Sequence, residues 1–143
     1  MNLRRILVPV DYSKESERAL ALAVGFAEHF GAELVVVHVQ YIPADVYPYT
    51  LYITDEVRQD IRAREQERLE SWCSERGTSG ANRRTLVEIG EARSLLPDLA
   101  RREDVDLVVI GTRGSSGLKH LVLGSTAERV VRLAPCLVIT VPG

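Results

Sequence analysis

The sequence predicts an α/β fold, a mostly parallel sheet with helices on both faces, and three observations predict it. Apolar runs alternate with stretches of helical periodicity in the order β-α-β-α-β-α-β-α-β. Repeated βα units imply parallel strands joined by right-handed crossovers. Four of the five runs are nearly continuous in Val, Ile and Leu, as strands covered on both faces must be. The chain has 143 residues, enough for one core without disulfides or metals, so residues 1–143 are expected to form one domain.

Leu3 to Val10 reads as the first strand. Asp11 and Ser13 are both possible N-caps for the helix that follows, whose apolar residues fall at Leu20, Val24, Ala27 and Phe30 before Gly31 ends it. Glu33 to Val39 is the second strand. Val57, Ile61, Leu69 and Trp72 mark a heavily charged second helix ending near Gly77. In Arg84 to Gly90, Thr85, Val87 and Ile89 alternate with Leu86 and Glu88, the pattern of a partly wet edge strand. Leu95, Leu96, Leu99 and Ala100 give the third helix. A start with Ser94 as N-cap is preferred there, because Pro97 then falls in the first turn, where its missing N–H has no partner anyway. Asp106 to Gly111 is the fourth strand. Ala127, Val130, Val131 and Ala134 mark the last helix, stopped by Pro135, and Cys136 to Val141 is the last strand.

Composition narrows the function. The chain is 45% hydrophobic and 27% charged, with a net charge of −2, the balance of a soluble globular protein. It shows no basic footprint for nucleic acid or for an anionic membrane. No apolar run approaches the ~20 residues needed to span a bilayer, and the N-terminus has no apolar leader segment. A cytoplasmic location is expected. Cys136 reads as core, and a disulfide to Cys73 is disfavoured. His29, His38 and His120 lack metal-ligand spacing, and His38 reads as a satisfied core histidine. The mixed-charge run Arg58 to Arg68 reads as a solvated helix face.

In parallel sheets of this kind, ligands bind beyond the carboxyl ends of the strands, where strand order reverses. The chemistry concentrates after one such end, from Gly111 to Thr126. Four glycines there, Gly111, Gly114, Gly117 and Gly124, let backbone N–H groups approach a phosphate closely, and a helix N-terminus adds further N–H groups and partial positive charge. Ser125 and Thr126 offer hydroxyls, and Arg113, Lys119 and His120 are nearby cations. A plainer reading remains open, in which Ser125 and Glu128 form a capping box and Gly111 and Gly124 only turn the chain. Neither the Walker pattern nor a dinucleotide fingerprint after the first strand occurs.

The segment resembles the nucleotide loop of the universal stress protein family, G-x2-G-x9-G-[ST], which Gly111, Gly114, Gly124 and Ser125 fit without a gap. The opening Ile6-Leu7-Val8-Pro9-Val10-Asp11-Tyr12-Ser13, Leu34 to Val39 and the closing Ala134 to Ile139 are also similar to that family. The resemblance covers essentially the whole chain and is weakest from Ile42 to Asn82. It implies a Rossmann-like fold of the adenine nucleotide alpha hydrolase type, with five parallel strands in the order 3-2-1-4-5. It also implies bound ATP, with or without Mg²⁺, its triphosphate on Gly114, Gly124, Ser125 and Thr126. Pro9, Val10 and Asp11 would meet the nucleoside and Val39 would wall the adenine. Asp11 can accept a hydrogen bond from a ribose hydroxyl or adenine amine, or instead cap the first helix. Strand order 3-2-1-4-5 leaves the uncharged run Cys136 to Val141 at a sheet edge, which a second copy of the chain would cover in a homodimer. Two other functions stay open: a slow ATPase or nucleotidyl-transfer enzyme on the same fold, and a dimerisation module that binds no nucleotide. Tyr41, Tyr47, Tyr49 and Tyr52 read either as a surface loop or as a lid or partner surface.

Overall fold

The computed structural model describes residues 1–43, 53–113 and 123–143. Elements follow in the order β1 (Arg5–Pro9), α1 (Lys14–Phe30), β2 (Glu33–Gln40), α2 (Asp55–Ser74), β3 (Arg83–Ile89), α3 (Ala92–Arg102), β4 (Leu107–Gly111), α4 (Ser125–Leu133) and β5 (Leu137–Val141). The five strands form one parallel sheet in the order β3-β2-β1-β4-β5.

Strand alternation divides the core in two. Ile6 and Val8 of β1 and Val10 just beyond it, with Leu34 and Val36 of β2, face Ala19, Leu20 and Ala23 of α1 and Leu69 and Cys73 of α2. Leu7, Val35 and Val37 face the other way, onto Leu96 and Leu99 of α3 and Ala127 and Val130 of α4. Both faces of the central strands are dry, which is why those runs are apolar throughout. Ser13 caps α1 by accepting the Ser16 N–H at 3.2 Å, and Gly31 closes it at φ 67, a left-handed conformation suited to glycine. Thr54 caps α2 by accepting the Val57 N–H at 3.3 Å.

Several expectations need correction. α3 begins at Ala92 with Glu91 as its N-cap, so Pro97 lies inside the helix, buried with Leu96. The carbonyl deprived of an i→i+4 donor is that of Arg93, whose exposed first-turn position lets water replace the bond. Val131, expected on the buried face of α4, is 48% exposed, and Cys136 is only half-buried. The edge character of β3 holds: it pairs only with β2, and its Arg83, Arg84 and Glu88 bind Glu70, Glu33 with Glu103, and Arg102 respectively. The other edge is β5, where Leu137 is 53% exposed.

Candidate functional site

Strand order reverses between β1 and β4, so the carboxyl ends of those strands diverge into opposite crossovers and leave a crevice. A cavity of about 270 Å³ lies there. Pro9, Val10, Asp11, Val39, Gly111, Arg113, Gly124, Ser125 and Thr126 all line it, which is nine of the ten residues singled out from the sequence. The tenth, Gly114, lies outside the described residues, as do Lys119, His120, Tyr47, Tyr49 and Tyr52. Ser16, Val37, Ala92, Leu96, Ile110 and Ala127 complete the wall. Sequence reasoning missed these six. Ala92 was hidden by placing the start of α3 too late, Ser16 carried no signal in the first helix, and the other four lie in runs read only as strand or helix core.

The cavity has two chemical ends. At one, α4 begins without a side-chain cap, because its N-cap is Gly124. The first intrahelical bond is Glu128 N–H to Gly124 O at 2.9 Å, so the amides of Ser125, Thr126 and Ala127 have no partner within the helix. The expected capping box therefore does not form: Ser125 is the first helical residue, one position too late to cap. An uncapped helix N-terminus in a cavity that Arg113 also lines suits an anion. At the other end Val37, Val39, Ala92 and Leu96 make an apolar wall suited to a flat ring system.

The glycines have different tasks. A Cβ on Gly111 would meet Glu15 Cβ at 2.8 Å and its carbonyl carbon at 3.1 Å, so this glycine lets β4 pack against the first turn of α1. Gly124 has φ −61, a backbone that any residue adopts. Its constraint is proximity: a Cβ there would lie 3.0 Å from Thr112 O, which already accepts the Gly124 N–H at 2.6 Å. Thr112 also donates to Val141 O at 3.0 Å, so one residue ties the α4 N-terminus to the ends of β4 and β5.

The β1–α1 turn is held from behind. Asp11 does not cap α1; its Oδ1 accepts the Ser13 N–H at 3.0 Å inside the turn, and Ser13 is the cap. Tyr12 adopts φ 65, which costs a bulky non-glycine residue of order 1–3 kcal/mol. Its ring lies under the Arg68 guanidinium at 4.0 Å, 4.7 Å from the His38 ring, and edge-on to Trp72 at 5.6 Å. The Tyr12 hydroxyl is buried without a hydrogen-bond partner among the described residues, and burial, then the nearby Glu65 carboxylate, push it up to about 12. His38 is satisfied, as the sequence suggested: Nδ1 lies 2.9 Å from Val10 O, and because a carbonyl only accepts, Nδ1 carries the proton. Arg68 is itself exposed, as the solvated face read from Arg58 to Arg68 requires, and lays its guanidinium over this ring from the solvent side.

The sheet order and the cavity at its switch point define a Rossmann-like α/β protein. The universal stress protein family model matches residues 2–142, and the chain belongs to that family. It is 32% identical to universal stress protein YxiE of Bacillus subtilis, over 96% of this chain and 97% of that one. The structure of universal stress protein UspA from Lactobacillus plantarum is 25% identical, with TM-score 0.76 and 99% of each chain covered. The universal stress protein from Archaeoglobus fulgidus, solved in complex with dAMP, is 28% identical, with TM-score 0.68 and 99% of each chain covered.

Proposed function

We propose that this chain is an ATP-binding universal stress protein, a nucleotide-dependent stress-response or signalling module of the cytoplasm, with residues 1–143 acting as one domain. The observation that carries the reading is that an uncapped α4 N-terminus, Arg113 and the apolar Val37, Val39, Ala92 and Leu96 line one cavity. In this reading the triphosphate lies against Gly114, Gly124, Ser125, Thr126 and Arg113, below the turn closed by Gly111. The ribose meets Asp11, and Pro9, Val10 and Val39 enclose the base. The dAMP complex of the Archaeoglobus fulgidus relative supports an adenine nucleotide as ligand. Mg²⁺ would arrive on the phosphates, since no group of three His, Cys, Asp or Glu side chains among the described residues is placed to hold a metal. The module is read as retaining nucleotide with slow turnover at most.

Denaturing the purified protein and identifying the released nucleotide tests this. ATP or ADP is expected. Absence of nucleotide, together with no ATP-induced rise in Tm, would overturn it, and rapid steady hydrolysis would shift the reading to an enzyme.

The same reading includes a homodimer through the strand Cys136 to Val141. β5 is an edge strand, it carries no charged residue, and Leu137 is 53% exposed on it. Pairing with a second copy across a two-fold axis would cover that edge. Sedimentation at micromolar concentration should show a dimer, and Leu137→Glu should yield a folded monomer whose Tm no longer depends on protein concentration. A wild-type monomer would defeat the proposal.

A further inference from the structure

The cavity explains what Asp11 faces but not what aims it. Asp11 sits between two residues that are each anchored to the far side of the β1–α1 turn. On one side, the Val10 carbonyl is held by His38 Nδ1 at 2.9 Å. On the other, Tyr12 is fixed at φ 65, a conformation an aromatic residue keeps only where its surroundings over-determine it. Those surroundings are His38 on β2 and Arg68 and Trp72 on α2, with centroid distances of 4.7, 4.0 and 5.6 Å. α2 is itself docked by the buried Leu69 and Cys73. The Asp11 side chain is then oriented by its own acceptance of the Ser13 N–H at 3.0 Å.

We infer that Tyr12, clamped by Arg68, Trp72 and His38, is a positioning residue that sets the Asp11 carboxylate against the ribose hydroxyls and so makes the site discriminate on the sugar. The inference rests on the nucleotide-binding reading above and deepens it. The clamp acts through the ring. The Tyr12 hydroxyl has no partner among the described residues, so nothing there depends on it. The clamp also makes α2, which contributes no residue to the cavity wall, a determinant of the ligand accepted.

Calorimetric titration with ATP and with 2′,3′-dideoxy-ATP, well below each variant's Tm, tests this. The wild type should prefer ATP. Tyr12→Phe keeps the ring and should keep that preference. Tyr12→Gly tolerates the left-handed backbone but removes the anchor, so ATP affinity should fall about tenfold, the scale of a lost hydrogen bond to a charged group, with the dideoxy affinity little changed. Arg68→Met, which leaves Tyr12 in place, should move the ratio the same way by less. A purely structural Tyr12 would lower Tm and leave the ratio alone. A wild-type ratio in both Tyr12→Gly and Arg68→Met overturns the inference and leaves nucleotide binding standing, as does a wild type that binds the two ligands equally. A wild type that binds neither ligand overturns the nucleotide reading, and this inference falls with it.

Discussion

Replacing Gly124 by alanine tests the anion end of the cavity. The backbone there, φ −61 and ψ 157, is one that alanine adopts without strain, so torsion costs nothing. The obstacle is space. The new Cβ would sit 3.0 Å from Thr112 O and 3.7 Å from Arg113 Cα. Thr112 O is also the acceptor of the Gly124 N–H at 2.6 Å, so the oxygen cannot retreat without lengthening that bond. The α4 N-terminus must shift by a few tenths of an ångström instead. Overpacking of this kind costs about 1–3 kcal/mol. In a domain of this size that corresponds to a Tm fall of roughly 3–9 °C. The same shift moves the Ser125 and Thr126 amides relative to Arg113, and ATP affinity should fall about tenfold or more, as charge-assisted hydrogen bonds lengthen. Gly124→Val, with a branched Cβ, should abolish binding while the fold persists. A thermal melt and an ATP titration well below the melt decide the matter. A Gly124→Ala protein that melts earlier yet binds ATP as the wild type does would show that the α4 N-terminus is not where phosphate rests.

Three further outcomes are expected. Gly25 lies inside α1 on an exposed position where a Cβ meets nothing within 4 Å, so Gly25→Ala should raise stability by about 0.5–1 kcal/mol in urea unfolding with ATP affinity unchanged. Ser125 is not the cap of α4, so Ser125→Ala should change stability by less than about 0.5 kcal/mol while weakening ATP binding by calorimetry. Asp106 and Glu33 should govern acid unfolding. Burial pushes both carboxyls up, but the Arg4 and Arg5 backbone donors at 2.8 and 3.0 Å hold Asp106 below its ordinary value, and Arg5 and Arg84 do the same for Glu33. A lowered native pKa contributes stability above the unfolded value, near 4, and loses it as pH falls through the native one. Tm should therefore drop as pH is lowered from about 5 to 3, and Asp106→Asn should flatten that profile.

The strands and their order of appearance were legible in the sequence because a strand buried on both faces must be apolar at every position, as in Ile6–Val8 and Leu34–Val37. The site was legible to the extent that its parts sit at strand ends or helix starts, as Pro9 to Asp11 and Gly124 to Thr126 do. Local rules failed where a tertiary contact outweighed them. Pro97 is tolerated inside α3 because burying Leu96, Leu99 and Ala100 outweighs one hydrogen bond whose carbonyl can meet water. Ser125 follows a capping pattern yet does not cap, since the Gly124 N–H is engaged by Thr112 and the helix begins one residue earlier than the pattern requires. Gly111 and Gly124 look alike in the sequence, but one makes room for α1 and the other for the Thr112 carbonyl. Nothing local joins Tyr12 to Arg68, 56 positions along the chain. A sequence pattern encodes which faces are buried, because burial is periodic along one element. Which distant side chains then meet is decided only when the elements pack, so the clamp behind Asp11 belongs to the tertiary structure alone.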